Sequence, residues 1–148
     1  MLWHAARMLL IQATDPMDGR SFLLPPGGGV EFGGRLEQEV LREVFEEVGV
    51  QLTGAAHLGM TENIFEFAGH REHELVFVYA AECPEPTLCR QAEVTITESN
   101  GAKLPARWYT LAEALETGLP LFPDGLAGLL QELRMQSADP ARPEARPV

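Results

Sequence analysis

Four glutamates on one side of a predicted helix are the residues of this chain best suited to chemistry. The apolar spacing over residues 35–48 predicts an amphipathic helix, and at ~100° per residue the four share an arc of ~100°. They are Glu39, Glu43, Glu46 and Glu47. Like charges one turn apart repel each other, and the helix dipole disfavours negative charge near the carboxyl end. Hard divalent cations such as Mg²⁺ take oxygen ligands and would cancel this repulsion, so the pattern indicates a metal-binding face. An ordinary solvated acidic face is the alternative.

The opposite side of the same helix is apolar and is expected to pack on the protein core. Its members share an arc of roughly 140° at helical spacing. They are Val40, Leu41, Val44, Phe45 and Val48. Gly49 follows directly and suits the left-handed backbone position that commonly ends a helix. The core is therefore expected to fix the helix while the carboxylates face outward.

Strands are predicted on both sides of this helix, and two further helices follow them. The patterns predict strands over 5–13, 21–24, 51–59, 63–67, 74–81 and 107–109, and helices over 111–116 and 125–135. Residues 83–90 are predicted as a loop and residues 98–102 as a turn. This element order indicates a mixed sheet packed by helices, in an α/β or α+β fold.

Charge and hydropathy limit the classes of function. The chain has 148 residues, and its 22 acidic and 11 basic residues give a net charge of −11. This balance argues against general nucleic-acid binding, which needs a basic surface, but a bound metal would still admit a small phosphate ester. No apolar run reaches the ~20 residues that span a bilayer. The chain's start lacks the zones of a secretory signal, so a cytoplasmic protein is expected.

The length suits one domain, which we expect to cover residues 1–136. Residues 137–148 are rich in Pro, Ala and Arg and are predicted to form a flexible carboxyl-terminal tail.

Residues 28–50 resemble the signature of the Nudix hydrolase superfamily, G-x₅-E-x₇-R-E-U-x-E-E-x-G-U, in which U is aliphatic. The matching residues are Gly28, Arg42, Glu43, Val44, Glu46, Glu47, Gly49 and Val50. One defining position differs, because the first signature glutamate falls on Gly34, which has no side chain. The resemblance implies a Nudix-like α/β/α sandwich in which the signature forms a loop, a helix and a second loop.

The resemblance also implies roles for individual residues. Glu43 and Glu47 would be the main Mg²⁺ ligands, with Glu46 beside them and Mn²⁺ as a substitute ion. The backbone carbonyl of Gly27 or Gly28 would ligate metal, and the run Gly27, Gly28 and Gly29 would let the backbone approach the phosphate. A simple tight turn is the alternative for these glycines. Arg42 precedes Glu46 by four residues and is expected to orient it through a charge-assisted hydrogen bond.

The family often uses a further glutamate from a distant loop as general base or ligand. Four residues are candidates for that role, and the sequence leaves the choice open. They are Glu98, Glu93, Glu72 and Glu74.

By this resemblance the chain is expected to be a Mg²⁺-dependent enzyme that hydrolyses a diphosphate bond in a nucleoside diphosphate derivative, with nucleoside triphosphates among the candidates. The alternative is a nucleotide-binding or regulatory module with impaired catalysis, which Gly34 motivates. Three glutamates could compensate for the missing carboxylate: Glu31, Glu37 and Glu39. Restoring it by Gly34→Glu is expected to raise activity or metal affinity. Dimers are frequent in such folds, so a homodimer is also expected.

Overall fold

The computed structural model describes residues 1–138, and within them the chain forms seven strands and four helices. The elements, in chain order, are β1 (Leu2–His4), β2 (Arg7–Thr14), β3 (Ser21–Leu24), α1 (Leu36–Val48), β4 (Ala56–Phe67), β5 (His70–Glu82), α2 (Pro86–Cys89), β6 (Val94–Thr97), β7 (Lys103–Tyr109), α3 (Leu111–Glu116) and α4 (Leu126–Ala138).

The strands form one mixed sheet with the order β4-β5-β1-β2-β7-β6, and β3 pairs with β2 beside this path. β1 and β5 run parallel, whereas the other pairs are antiparallel. The predicted mixed sheet is therefore confirmed.

Alternating side chains of β2 bury both faces of the sheet. Leu9 and Ile11 pack in one core cluster with Val44 of α1. Met8 and Leu10 point to the other face and pack in a second cluster with residues of α3 and α4. Because successive strand side chains face opposite sides, this one strand anchors helices above and below the sheet. The predicted α/β/α sandwich is confirmed.

The apolar side of α1 packs largely as predicted. Val44 is buried, and Leu41 and Val48 pack against the same cluster. Phe45 is the exception, because about half of it (52%) is exposed and the prediction that it faces the core is wrong. Gly49 has φ 77°, and its N–H donates to the carbonyl oxygen of Phe45 at 3.0 Å, which ends the helix at the expected residue.

Several elements differ from the sequence predictions, and for the strands the reason is that pairing overrides local pattern. β4 is one continuous strand where two were predicted, since it pairs with β5 along its whole length with a single bulge between His57 and Gly59. The predicted strand over 5–13 begins two residues late, because Ala5 and Ala6, both at positive φ, form the turn of a hairpin between β1, which was not predicted, and β2. β6 was not predicted, and the short helix α2 lies in the predicted loop.

At its carboxyl end, α4 includes residues 137 and 138, the first two residues of the predicted tail. The rest of that tail lies outside the described residues. None of the helices within residues 1–138 has the length and apolar character that crossing a membrane requires.

Candidate active site on helix α1

The glycine-rich loop between β3 and α1 folds over the carboxyl-terminal half of the helix. The backbone N–H of Gly27 donates to Oε2 of Glu47 at 3.1 Å. Only 7% of Glu47 is exposed, so this carboxylate is buried although its neighbours Phe45 and Glu46 face outward. A glutamate is rarely buried without a partner. The loop and the helix therefore meet at an acidic side chain.

Burial is the largest cause of an unusual pKa at Glu47. Desolvation disfavours the charged form, and the negative charges of Glu98, Glu43 and Glu46 act in the same direction. The hydrogen bond from Gly27 opposes them, and the net result raises the pKa of Glu47 to about 7. The surroundings of Glu47 therefore disfavour its charged form, and a cation bound beside it would stabilise that charged form.

Gly28 makes a closer approach than its two neighbours. A β-carbon added at Gly28 would lie 2.4 Å from Cδ of Glu43, whereas additions at Gly27 and Gly29 would meet nothing within 4 Å. The Glu43 carboxylate thus lies against the backbone of Gly28, and any side chain there would displace it. Of the three predicted glycines, Gly28 is the one whose position leaves no room for a side chain.

Arg42 is shared by three carboxylates of α1. Its Nη1 donates to Glu46 at 2.9 Å, and its Nη2 donates to Glu43 at 2.7 Å. Nε and Nη2 both reach Oε2 of Glu39, at 3.2 and 2.6 Å. The predicted contact between Arg42 and Glu46 is present, but Glu39 is the partner held by two hydrogen bonds, and sequence reasoning did not single it out. Its i,i+3 spacing to Arg42 was the available signal.

Glu98 is the distal candidate that the structure brings to this site. It begins the turn after β6, where its backbone N–H donates to the carbonyl oxygen of Ala102 at 2.9 Å. The negative charge of Glu98 raises the pKa of Glu47. α1 packs against β6, which explains why the end of that strand lies near the helix.

The three other distal candidates lie elsewhere. Glu93 instead pairs with Arg107 at 2.9 Å, and both line a cleft of about 320 Å³ to which the acidic residues of α1 do not contribute. Glu72 and Glu74 lie on β5, opposite Phe65 and Asn63 of β4. Both are exposed, and among the described residues the charges that act on Glu47 are those of Glu98, Glu43 and Glu46.

Comparison with known proteins identifies the family of this fold. A family model described as the NUDIX domain matches residues 2–131. This chain belongs to the Nudix family. Nudix proteins are hydrolases that generally use divalent metals such as Mg²⁺, and membership supports a pyrophosphohydrolase type of activity in general.

The Nudix fold is also seen in a solved structure, the solution structure of the E. coli ORF135 protein. The two share 21% sequence identity with a TM-score of 0.58, and the match covers 96% of this chain and 90% of that one. At this identity the likeness concerns the fold. No curated protein matches the chain.

The side chains of the signature fit a divalent metal in their chemistry but are not arranged around one point. Within the described residues no group of three or more His, Cys, Asp or Glu side chains converges on one point, because Arg42 draws Glu43 and Glu46 toward itself. The donor chemistry nevertheless fits: Arg42 pairs with three of the four carboxylates of α1, and among the described residues no cationic side chain pairs with the fourth, the desolvated Glu47. Ligation by Glu43, Glu46, Glu47 and the Gly27 carbonyl stays a prediction.

Proposed function

We propose that this Nudix protein is a Mg²⁺-dependent hydrolase that cleaves a diphosphate bond in a nucleoside diphosphate derivative, with nucleoside triphosphates among its substrates. The observation that carries the proposal is Glu47, a buried carboxylate inside the family's signature that has a raised pKa and no cationic partner within residues 1–138. A buried charge that lacks a partner is costly, and such groups concentrate at functional sites.

Glu43, Glu46, Glu47 and the Gly27 carbonyl are the residues that would hold the ion, and Mn²⁺ would substitute for Mg²⁺. When bound, the metal would neutralise phosphate charge and acidify a water molecule. Arg42 supports the site by holding Glu43 and Glu46 through hydrogen bonds. The run Gly27, Gly28 and Gly29 leaves room for phosphate oxygens to approach the backbone, since additions at Gly27 and Gly29 meet no neighbouring atom.

We assign the role of proton acceptor to Glu98. The attacking water must lose a proton, and a carboxylate near the buried Glu47 can accept it. Among the four distal candidates, Glu98 is the one whose charge acts on Glu47. Glu93 is engaged by Arg107, which supports leaving it out of the reaction.

A nucleotide-binding or regulatory module without turnover is the second candidate function. The observation in its favour is Gly34, which leaves the first signature position without a carboxylate. Both candidates predict Mg²⁺ and nucleotide binding, so they differ only in whether the phosphoanhydride is broken.

Three further expectations belong to this proposal: one domain over residues 1–136, a cytoplasmic location and a homodimer. The homodimer is supported by exposed apolar side chains that share one face of the β4–β5 hairpin. These are Met60, Ile64, Leu75 and Phe77. Analytical ultracentrifugation of the full chain tests this assembly.

The test of function is a turnover assay of the purified full chain. We expect Mg²⁺-dependent release of phosphate or pyrophosphate from at least one member of a panel of nucleoside diphosphate derivatives and triphosphates. Nucleotide binding without release would favour the module. A melting temperature that Mg²⁺ leaves unchanged, with no release, would contradict both, because a ligand that binds the folded state must stabilise it.

A further inference from the structure

The side-chain position that is empty at Gly34 is filled by another residue. A β-carbon added at Gly34 would lie 2.1 Å from Oε1 and 2.7 Å from Cδ of Glu39. Non-bonded atoms do not approach so closely, so the carboxylate of Glu39 occupies the space that a side chain at residue 34 would enter. The backbone of Gly34 is not at positive φ, unlike that of Gly33, so its conformation does not itself demand glycine.

From this position Glu39 joins the loop to the helix. Its Oε2 accepts hydrogen bonds from Nε and Nη2 of Arg42 at 3.2 and 2.6 Å, and from the backbone N–H of Glu31 at 3.5 Å. Only 12% of the Glu39 side chain is exposed. The Arg42 guanidinium also holds the pKa of Glu39 below its usual range, so this carboxylate stays ionised.

The two other glutamates that could compensate for Gly34 are not placed to do so. Glu37 accepts a hydrogen bond from the N–H of Ala55 at 3.4 Å, on the side of the loop that follows the helix. Glu31 contributes its backbone N–H to Glu39, and its residue is exposed.

We infer that Glu39 is a positioning residue that replaces the missing signature glutamate, supplying from the first turns of α1 the carboxylate that the loop lacks. It fixes the guanidinium of Arg42, which in turn holds Glu43 and Glu46. The inference rests on the proposed function, because Glu39 acts on the reaction only through these residues.

This replacement reverses the effect expected for Gly34→Glu. With Glu39 in place, a second carboxylate must enter the same space, so the two anions repel each other and one is expelled from Arg42. The single substitution is therefore expected to lower activity and metal affinity. The same substitution becomes favourable only when Glu39 is removed.

The test is a reciprocal exchange of the carboxylate in the full chain, with Glu39→Ala, Gly34→Glu and the double variant compared with wild type. Glu39→Gln, which keeps the shape but not the charge, serves as the single variant where Glu39→Ala folds poorly, whereas the double variant carries Glu39→Ala because the space beside residue 34 must be free. Glu37→Ala is the matched control, since it removes a charge from the same turn outside the Arg42 network. Turnover and the Mg²⁺ dissociation constant from calorimetry are the readouts.

We expect each single substitution to lower turnover and Mg²⁺ affinity by about 10- to 100-fold, as loss of a residue that orients metal ligands typically does. We expect the double variant to recover to within about threefold of wild type, because the carboxylate returns to Arg42 from the loop. The control stays at the wild-type level. A double variant as impaired as the worse single one, or more so, would overturn the inference.

The melting temperature of the metal-free protein separates this inference from the proposed function. If Glu39 fixes the loop through Arg42, the double variant melts above both single variants even where wild type shows no turnover and no Mg²⁺ binding. In that case the proposed function fails while the replacement stands. A double variant that melts at or below the lower single one contradicts the replacement whatever the activity.

Discussion

The carboxylates in the two halves of the acidic side of α1 have pKa values shifted in opposite directions. In the amino-terminal half, Arg42 donates to Glu39 and holds the pKa of Glu39 below its ordinary value. In the carboxyl-terminal half, burial and the charge of Glu98 raise the pKa of Glu47 to about 7, and in the described part of the chain its hydrogen-bond donor is the backbone N–H of Gly27. One helix thus carries a carboxylate that Arg42 neutralises and a second carboxylate that no cationic side chain of the described residues neutralises.

This difference indicates that the two halves of the helix have different roles, one in positioning side chains and one in binding an ion. A carboxylate bound by guanidinium is fixed in place and satisfied, so it suits a positioning role. A desolvated carboxylate without a cation gains most from an ion that enters from outside. Substitutions in the two halves should therefore have opposite effects on the metal-free protein.

Glu47→Gln is expected to have the largest effect. The amide can still accept the hydrogen bond from Gly27 but supplies no charge, so turnover should fall at least ~100-fold. The metal-free protein should melt at a higher temperature, because a desolvated charge is removed. Thermal melting in a chelating buffer and a turnover assay check both effects. Glu116→Gln, at an exposed residue of α3, is the control, and wild-type turnover in Glu47→Gln would refute the ligand assignment.

Glu98→Gln is expected to lower turnover by ~100-fold, since a general base typically contributes this much or more. Substrate binding should change far less than the rate of the chemical step. Glu93→Gln breaks only the exposed ion pair with Arg107 and should leave turnover unchanged. A comparison of kcat and KM for the two variants checks the assignment. An equal loss of kcat in Glu98→Gln and Glu93→Gln would contradict the choice of Glu98 as the general base.

The pH dependence of Mg²⁺ binding should show a smaller effect that still separates the two halves. The raised pKa of Glu47 means that the metal-free protein binds a proton there as pH falls through about 7. A proton and a cation then compete, so affinity should fall up to ~tenfold per pH unit below 7 and level off above it. Glu39 has a lowered pKa and adds no such dependence near 7. Calorimetric titrations of wild type and Glu47→Gln at several pH values test this, and a flat wild-type profile would contradict it.

The sequence predicted the helix well because its information is local. Apolar periodicity and Gly49 set the span and end of α1, and both depend on residues within a few turns of one another. Phe45 has the right spacing for the core but is exposed, because the sheet covers only part of the predicted arc. β4 and β6 extend as far as their pairing with the strands that follow them, β5 and β7, and local patterns do not report the length of such a pairing.

The candidate site divides in the same way. The identities of Glu43, Glu46, Glu47 and Arg42 follow from spacing on one helix. The burial of Glu47 requires the loop to fold over it, and the choice of Glu98 requires β6 to lie beneath α1. Glu39 lies against Gly34 because of how the loop folds, and the sequence does not report that fold. Sequence spacing therefore left Glu39 as one of three candidates.

The central claim is that the carboxyl-terminal half of the acidic face binds a divalent cation and the amino-terminal half does not. Anomalous diffraction from a crystal of the full chain soaked in Mn²⁺ tests it most directly. The account predicts a peak within ligand distance of Glu47 and Glu43, with Arg42 still bound to Glu39. No peak at saturating Mn²⁺, or a peak that displaces Arg42 from Glu39, would contradict it.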